Sequence, residues 1–235
     1  MPDRMITIAS TLSETPIFLA PALQSLAKAL EYPSQDSETL IWTIHHQLES
    51  AFPEAEQAFQ RFAGPFLAID RDRREELYTS TFDITPACVP YASIHLFGEE
   101  NFKRGEFMAA LNERYSQIAF DPRGELTDHV AVLLRFAAEI DPVEQRELVQ
   151  FCLLGPLEKM HKSLTSENPY CALLETVRLV LHSAHPGLQP ALSPVEQMRQ
   201  HGGGCESLSA GCGCGSLPRN PSAESNNVAS NPSSL

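Results

Sequence analysis

Basic residues are scarce in this chain. Seventeen Lys and Arg stand against 30 Asp and Glu in 235 residues, a formal net charge of −13. Nucleic-acid binding needs clustered Lys and Arg against phosphate, and docking on anionic lipid needs the same cations, so the charge argues against both partner classes. A neutral or basic protein partner is favoured instead. Long apolar runs are also missing. No stretch of about 18 apolar residues occurs, so direct membrane insertion is not expected. The stretch from Ile17 to Leu30 is broken by Pro21, Gln24, Ser25 and Lys28, and Asp3 accompanies Arg4. No secretory signal is therefore expected, and Arg73-Arg74 lies too deep for a twin-arginine leader. A cytoplasmic setting follows as the expectation.

Motifs for small-molecule chemistry are absent as well. There is no Gly-x-Ser-x-Gly, no P-loop and no dinucleotide fingerprint. His182 and His185 lie three apart at a helix end without further ligands nearby, and His45-His46 reads as surface. Glu158 and His161 form one Glu-x-x-His with no second copy, so a metal-dependent helical-bundle enzyme lacks its ligand set. Six Cys are present: Cys88, Cys152 and Cys171 scattered, and Cys205, Cys212 and Cys214 close together near the end. A reducing compartment disfavours a disulfide framework. The last three, with His201 beside them, are the only metal candidates, since thiolates bind zinc, copper(I) or iron–sulfur clusters. Their spacing matches no standard zinc pattern, so neither a stoichiometric metal nor any cofactor is expected.

Strand signals are missing too: no Asn-Gly or Asp-Gly turn, no sustained alternation and no internal repeat. What is present is helical periodicity. Leu126, Val130, Leu133, Leu134 and Ala137 fall on one face of a helix expected over 126–140. Leu111, Tyr115 and Ile118 repeat the pattern, as do Leu173, Leu174, Val177 and Leu181. Asp36-Ser37 opens a helix, and Pro53 suits the first position of a short one through Phe62 that Gly64-Pro65 should end. Asp141-Pro142 opens a helix to about Ser163, and Asn168-Pro169 opens another ending near His185. From His201 onward, Gly, Ser, Asn and Pro make up 21 of 35 residues, too little apolar surface to offset ordering. The expectation is one all-α helical bundle of about eight helices over residues 1–200, followed by a disordered tail over 201–235.

Several segments together carry a resemblance. They are Leu77-Tyr78-x-x-Thr81-Phe82-Asp83, Tyr91-x-Ser93-x-His95-Leu96-Phe97-Gly98-Glu99, Arg104-Gly105, Tyr115, Glu125-Leu126-x-Asp128-His129 and Phe136. Leu30-Glu31-Tyr32-Pro33 adds a turn after the first helix. In this order the chain resembles the redox-enzyme maturation chaperones of the TorD/DmsD/NarJ type, most of all the nitrate reductase delta-subunit branch. Thr127 and His129 stand where the family usually has Pro and Tyr. The resemblance implies a helical, non-catalytic chaperone. Its partner would be the apo catalytic subunit of a molybdopterin oxidoreductase, held by its N-terminal peptide during cofactor insertion. The oligomer is left open between monomer and dimer.

The residues supply candidates for that binding. Tyr78, Phe82 and Tyr91 suit the lining of an apolar groove, with the Tyr hydroxyls as handles. Tyr78 and Phe82, four apart, equally suit a core-facing stripe. Asp83 suits a helix edge or a basic partner residue, and Glu76, Glu99, Glu100 and Glu106 add negative charge. His95 is either a client contact or a satisfied internal histidine. Arg104 either clamps a carboxylate or caps a helix. Asp128 sits near a helix N-terminus, where the dipole favours a carboxylate whether or not it also binds. A generic helical adaptor without a redox client is the competing reading.

Overall fold

The computed structural model describes residues 18–201. The tail with Cys205, Cys212 and Cys214 lies outside the described residues. Eleven α-helical segments appear where about eight were expected, and no strand occurs among the described residues. They are α1 (Leu19–Ala29), α2 (Ser37–Ala51), α3 (Pro53–Ala68), α4 (Arg71–Tyr78), α5 (Ala92–Phe97) and α6 (Lys103–Gln117), then α7 (Val130–Ala137), α8 (Pro142–Leu148), α9 (Leu154–Ser163), α10 (Pro169–Ala184) and α11 (Pro194–His201). Two π-helical turns raise the segment number. Thr79–Asp83 prolongs α4, and Val149–Leu153 joins α8 to α9.

The helices form where caps and apolar stripes agree. Asp141 accepts hydrogen bonds from the Val143 and Glu144 N–H groups, and Asn168 accepts one from Tyr170; each precedes a Pro at the first helical position. In α10, Tyr170, Leu173, Leu174, Val177, Val180, Leu181 and Ala184 are buried along one stripe against α3. On α1, Leu19, Leu23 and Leu26 face α7 and α2. Burying each such side chain stabilises by roughly 1.5–3 kcal/mol.

Two expectations are corrected. Helix α3 does not end at Gly64-Pro65 but runs through them to Ala68. Both residues lie on the exposed side, while Phe59, Phe62 and Phe66 are buried on the other. Burial of Phe66 offsets the hydrogen bond that Pro65 cannot donate. The carbonyls of Phe66 and Leu67 then accept from Arg74, whose guanidinium lies 5.2 Å from the Phe66 ring centre. The helix expected over 126–140 is also shorter. It starts at Val130, and Leu126 is 46% exposed on the preceding loop. Every residue of α7 is buried, so this helix has no polar face and sits inside the domain.

Candidate partner-binding site

The π-helical turn after α4 shapes the first half of the site. Its signature is the Ile84 N–H bonding the Thr79 carbonyl five residues back, at 3.1 Å. The wider turn lets consecutive residues Thr81 and Phe82 both face inward. Thr81 is the fastening point. Its hydroxyl donates to the Leu77 carbonyl at 2.6 Å and accepts from Asn168 Nδ2 at 2.9 Å. Its carbonyl accepts the Cys88 N–H at 2.9 Å. One residue therefore ties α4, the loop after it and the start of α10 together. Beyond it the chain turns outward. Asp83 is exposed, Ile84 is 71% exposed, and Thr85 has a φ of 54°, which a β-branched residue rarely adopts.

Aromatic rings spread from this turn. Phe82 is buried, with its ring centre 4.9 Å from Tyr170 and 5.3 Å from Tyr78. Tyr170 also meets Phe62 and Phe66. Tyr78 is half-buried and stacks edge-on against Tyr32 at 5.4 Å. The Tyr32 hydroxyl donates to Glu75 at 3.0 Å, and Glu75 also accepts from Arg71 at 2.7 Å. The stack thus runs from a buried floor of Phe82 and Tyr170 to a rim of Tyr78 and Tyr32, with Tyr32 53% exposed.

Two loops bring the second half alongside. Residues 90–92 pair with 128–130 through the Ala92 N–H to Asp128 carbonyl bond (2.8 Å) and the Val130 N–H to Pro90 carbonyl bond (2.9 Å). This places the Tyr91 ring 5.6 Å from the His129 ring. The α6–α7 loop is held by Tyr115, whose hydroxyl donates to the Thr127 carbonyl at 2.8 Å, and by Arg135, which donates to the carbonyls of Asp121 and Pro122. Glu125 and Leu126 are left exposed at its end.

Electrostatics link the two halves. Burial raises the Tyr78 hydroxyl pKa above its ordinary value, and the charges of Glu125, Tyr91, Asp83 and Glu31 raise it further. Tyr91 is raised by burial and then by Glu125, Asp128 and Asp83. Both tyrosines therefore stay neutral hydroxyls within the field of the same carboxylates. The resulting face combines aromatic surface, hydroxyl handles and negative charge.

Of the seven residues read from the sequence, the structure gathers four here: Tyr78, Phe82, Asp83 and Tyr91. Phe82 forms the floor; the other three reach the surface. Asp128 is fully buried and accepts from the Ser93 hydroxyl at 2.5 Å and the Ser93 N–H at 3.3 Å. Arg104 donates to the same Ser93 hydroxyl at 3.0 Å and to the Glu99 carbonyl at 2.7 Å. These two hold the loops rather than line the face, and Arg104 lies in the first turn of α6. His95 bonds the Val89 carbonyl at 2.8 Å, while its own carbonyl accepts from Lys159 on α9. Burial lowers its pKa, so it sits neutral and inside. His129 caps α7 by accepting the Ala131 N–H at 3.1 Å.

Tyr32, Thr81, Glu125 and Tyr170 also lie at this candidate site, and none was among the candidates read from the sequence. Tyr32, Thr81 and Glu125 stood in the resembling segments, but none was assigned a role. Tyr170 was legible only as a residue after a helix-opening Asn-Pro.

An all-helical body with an open aromatic and acidic face offers the surface chemistry that a protein-binding module needs. Residues 45–154 match the nitrate reductase delta subunit family, a family of molybdoenzyme maturation chaperones, and the resemblance read from the sequence is shown over that span. The span holds α4, its π-turn and the 90–92 and 125–130 loops. No curated protein matches the chain. No described helix is long and apolar enough to cross a membrane.

Proposed function

We propose that this chain is a cytoplasmic chaperone for the apo catalytic subunit of a molybdenum enzyme such as nitrate reductase. It binds that subunit's N-terminal peptide on the face formed by Tyr32, Tyr78, Asp83, Tyr91 and Glu125, assists insertion of the molybdenum cofactor and is not itself an enzyme. The observation that carries this reading is that the matched family segment holds four of the face's five residues: Tyr78, Asp83, Tyr91 and Glu125 all fall within residues 45–154. The chemistry supports it. An amphipathic peptide laid on aromatic rings buries apolar surface, while its Lys or Arg residues meet Asp83, Glu31 and Glu125. The chain's charge of −13 draws a basic segment in and repels other acidic proteins.

A capture experiment tests this. The tagged chain is drawn from cells making molybdoenzymes, and bound proteins are identified with and without a Glu125→Lys, Asp83→Lys double substitution. The expected result is an apo molybdopterin subunit that is lost on charge reversal. A partner without a molybdopterin domain would falsify the reading.

A further inference from the structure

We propose that Ile84 and Leu126 are the apolar contacts of the peptide-binding face. Each packs against an aliphatic or aromatic side chain of the bound segment, while the carboxylate just before it meets a neighbouring Lys or Arg. This deepens the peptide-binding reading and rests on it for the identity of that segment.

The two residues stand in matching settings. Asp83-Ile84 and Glu125-Leu126 are each an acid followed by an aliphatic residue, and all four are exposed. Ile84 is 71% exposed and Leu126 46%, although Leu126 shares the apolar period of α7. The charges of Asp83 and Glu125 each reach both Tyr78 and Tyr91, so the two pairs approach the same rings. A single exposed aliphatic side chain is ordinary on a protein surface. Two that each adjoin a carboxylate at one aromatic face supply the apolar anchors and charged rim of a protein interface.

Both turns are braced. The Ile84 N–H bonds the Thr79 carbonyl at 3.1 Å and the Cys88 N–H bonds the Thr81 carbonyl at 2.9 Å, which fixes residues 84–87 between buried Phe82 and Cys88. Within that span Thr85 keeps a φ of 54°, although it is β-branched and precedes Pro86, a setting that favours extended backbone. Such strain persists only where the surroundings impose it. On the other turn Arg123 and Gly124 have φ values of 60° and 80°. There the Leu126 N–H bonds the Glu125 carboxylate at 2.8 Å, and the Leu126 carbonyl accepts the His129 N–H at 3.1 Å. Turns set in advance lose little freedom when a partner lands on them. The occupant follows from the pairing. An acidic segment is repelled, a purely polar one leaves Ile84 and Leu126 in water, and a purely apolar one desolvates Asp83 and Glu125 without a counter-charge. A segment with two apolar side chains beside Lys or Arg meets all four.

Two probes are titrated into the full chain by calorimetry and followed by NMR at the Ile84 and Leu126 methyl groups. One is the N-terminal peptide of a nitrate reductase catalytic subunit. The other is a capped peptide of repeating Lys-Leu, with a Lys-Ser repeat of equal length as the control for charge. The expected result is saturable shifts at both residues with the first two peptides, and tighter binding of Lys-Leu than of Lys-Ser. Ile84→Ser and Leu126→Ser should each weaken the nitrate reductase peptide about three- to tenfold. Together they should abolish the preference for Lys-Leu. Both variants keep the parent's urea midpoint, because the positions are exposed, and leave the salt dependence of binding unchanged, whereas Glu125→Gln flattens it. Methyl signals unmoved by a peptide that binds, or unchanged affinity in the double variant, overturn the proposal. So does a lowered urea midpoint, which would make the two side chains part of the packing. Failure of the wider reading looks different: Lys-Leu shifts both methyl signals and loses affinity in the double variant, while the nitrate reductase peptide does not bind. If neither peptide binds, both fall.

Discussion

Replacing Phe82 with Ala should unfold a substantial fraction of the chain's stability without touching the exposed face directly. Phe82 is 5% exposed and packs against Tyr170 and Tyr78 at 4.9 and 5.3 Å between ring centres. Deleting a buried phenyl ring costs about 3–5 kcal/mol, depending on how far the surroundings collapse. Tyr170 is held by Phe62 and Phe66 and cannot follow. Tyr78 is only half-buried and can tilt inward, so a loss near 3 kcal/mol is expected. That is a large share of the 5–15 kcal/mol typical of a domain. For a protein of this size it lowers Tm by about 6–12 °C. Urea unfolding followed by circular dichroism measures the loss, and Phe82→Leu should recover more than half of it. If Phe82→Ala costs less than about 1 kcal/mol, Phe82 is not the floor of the site and the packing argument fails.

Other outcomes follow from single contacts. The Ser193 N–H and hydroxyl, with Lys159 at 3.1 Å, hold the Glu196 carboxyl down at about 2. A depressed carboxylate stabilises above its ordinary range, so the anchoring of α11 is present above pH 4.5 and lost as pH falls toward 2. The protection factors of amides over 194–201 should fall in that window, and Glu196→Gln should show the same loss of protection at neutral pH. Gly105 lies inside α6 with open space where a Cβ would stand, so Gly105→Ala should stabilise by about 0.5–1 kcal/mol in urea titration. Arg114 holds Glu144 through two 2.6 Å bonds, tying α6 to α8. Both partners are partly exposed, so Glu144→Gln should lower stability only slightly in urea titration, and the loss should shrink at high salt.

Much of the fold was legible because its signals are local. Asp141-Pro142 and Asn168-Pro169 cap helices through contacts within three residues, and spacing alone reveals them. Gly64-Pro65 misled because a breaker signal is also local, whereas burial of Phe66 against Tyr170 is not. Leu126 shares the period of α7 yet lies outside it, since periodicity does not show where the backbone leaves the helix. The π-turns were invisible, as one extra residue per turn leaves no mark in composition. The site divided similarly. Tyr78, Phe82, Asp83 and Tyr91 come together, while Asp128, Arg104 and His95 turned inward through Ser93, Glu99 and Val89, partners that only the folded chain supplies. Tyr170 lies 88 residues beyond Phe82 in the sequence, and nothing near it signalled its place under that ring.

The central claim is that Tyr78, Tyr91 and their carboxylates bind a basic leader peptide. Isothermal titration calorimetry of the purified chain with N-terminal peptides of molybdoenzyme catalytic subunits tests it most directly. The account predicts saturable heat with at least one such peptide, weakened by added salt and by Tyr78→Phe, Tyr91→Phe or Glu125→Gln, each of which keeps the fold. Heat absent for every peptide, or undiminished by all three substitutions, contradicts it.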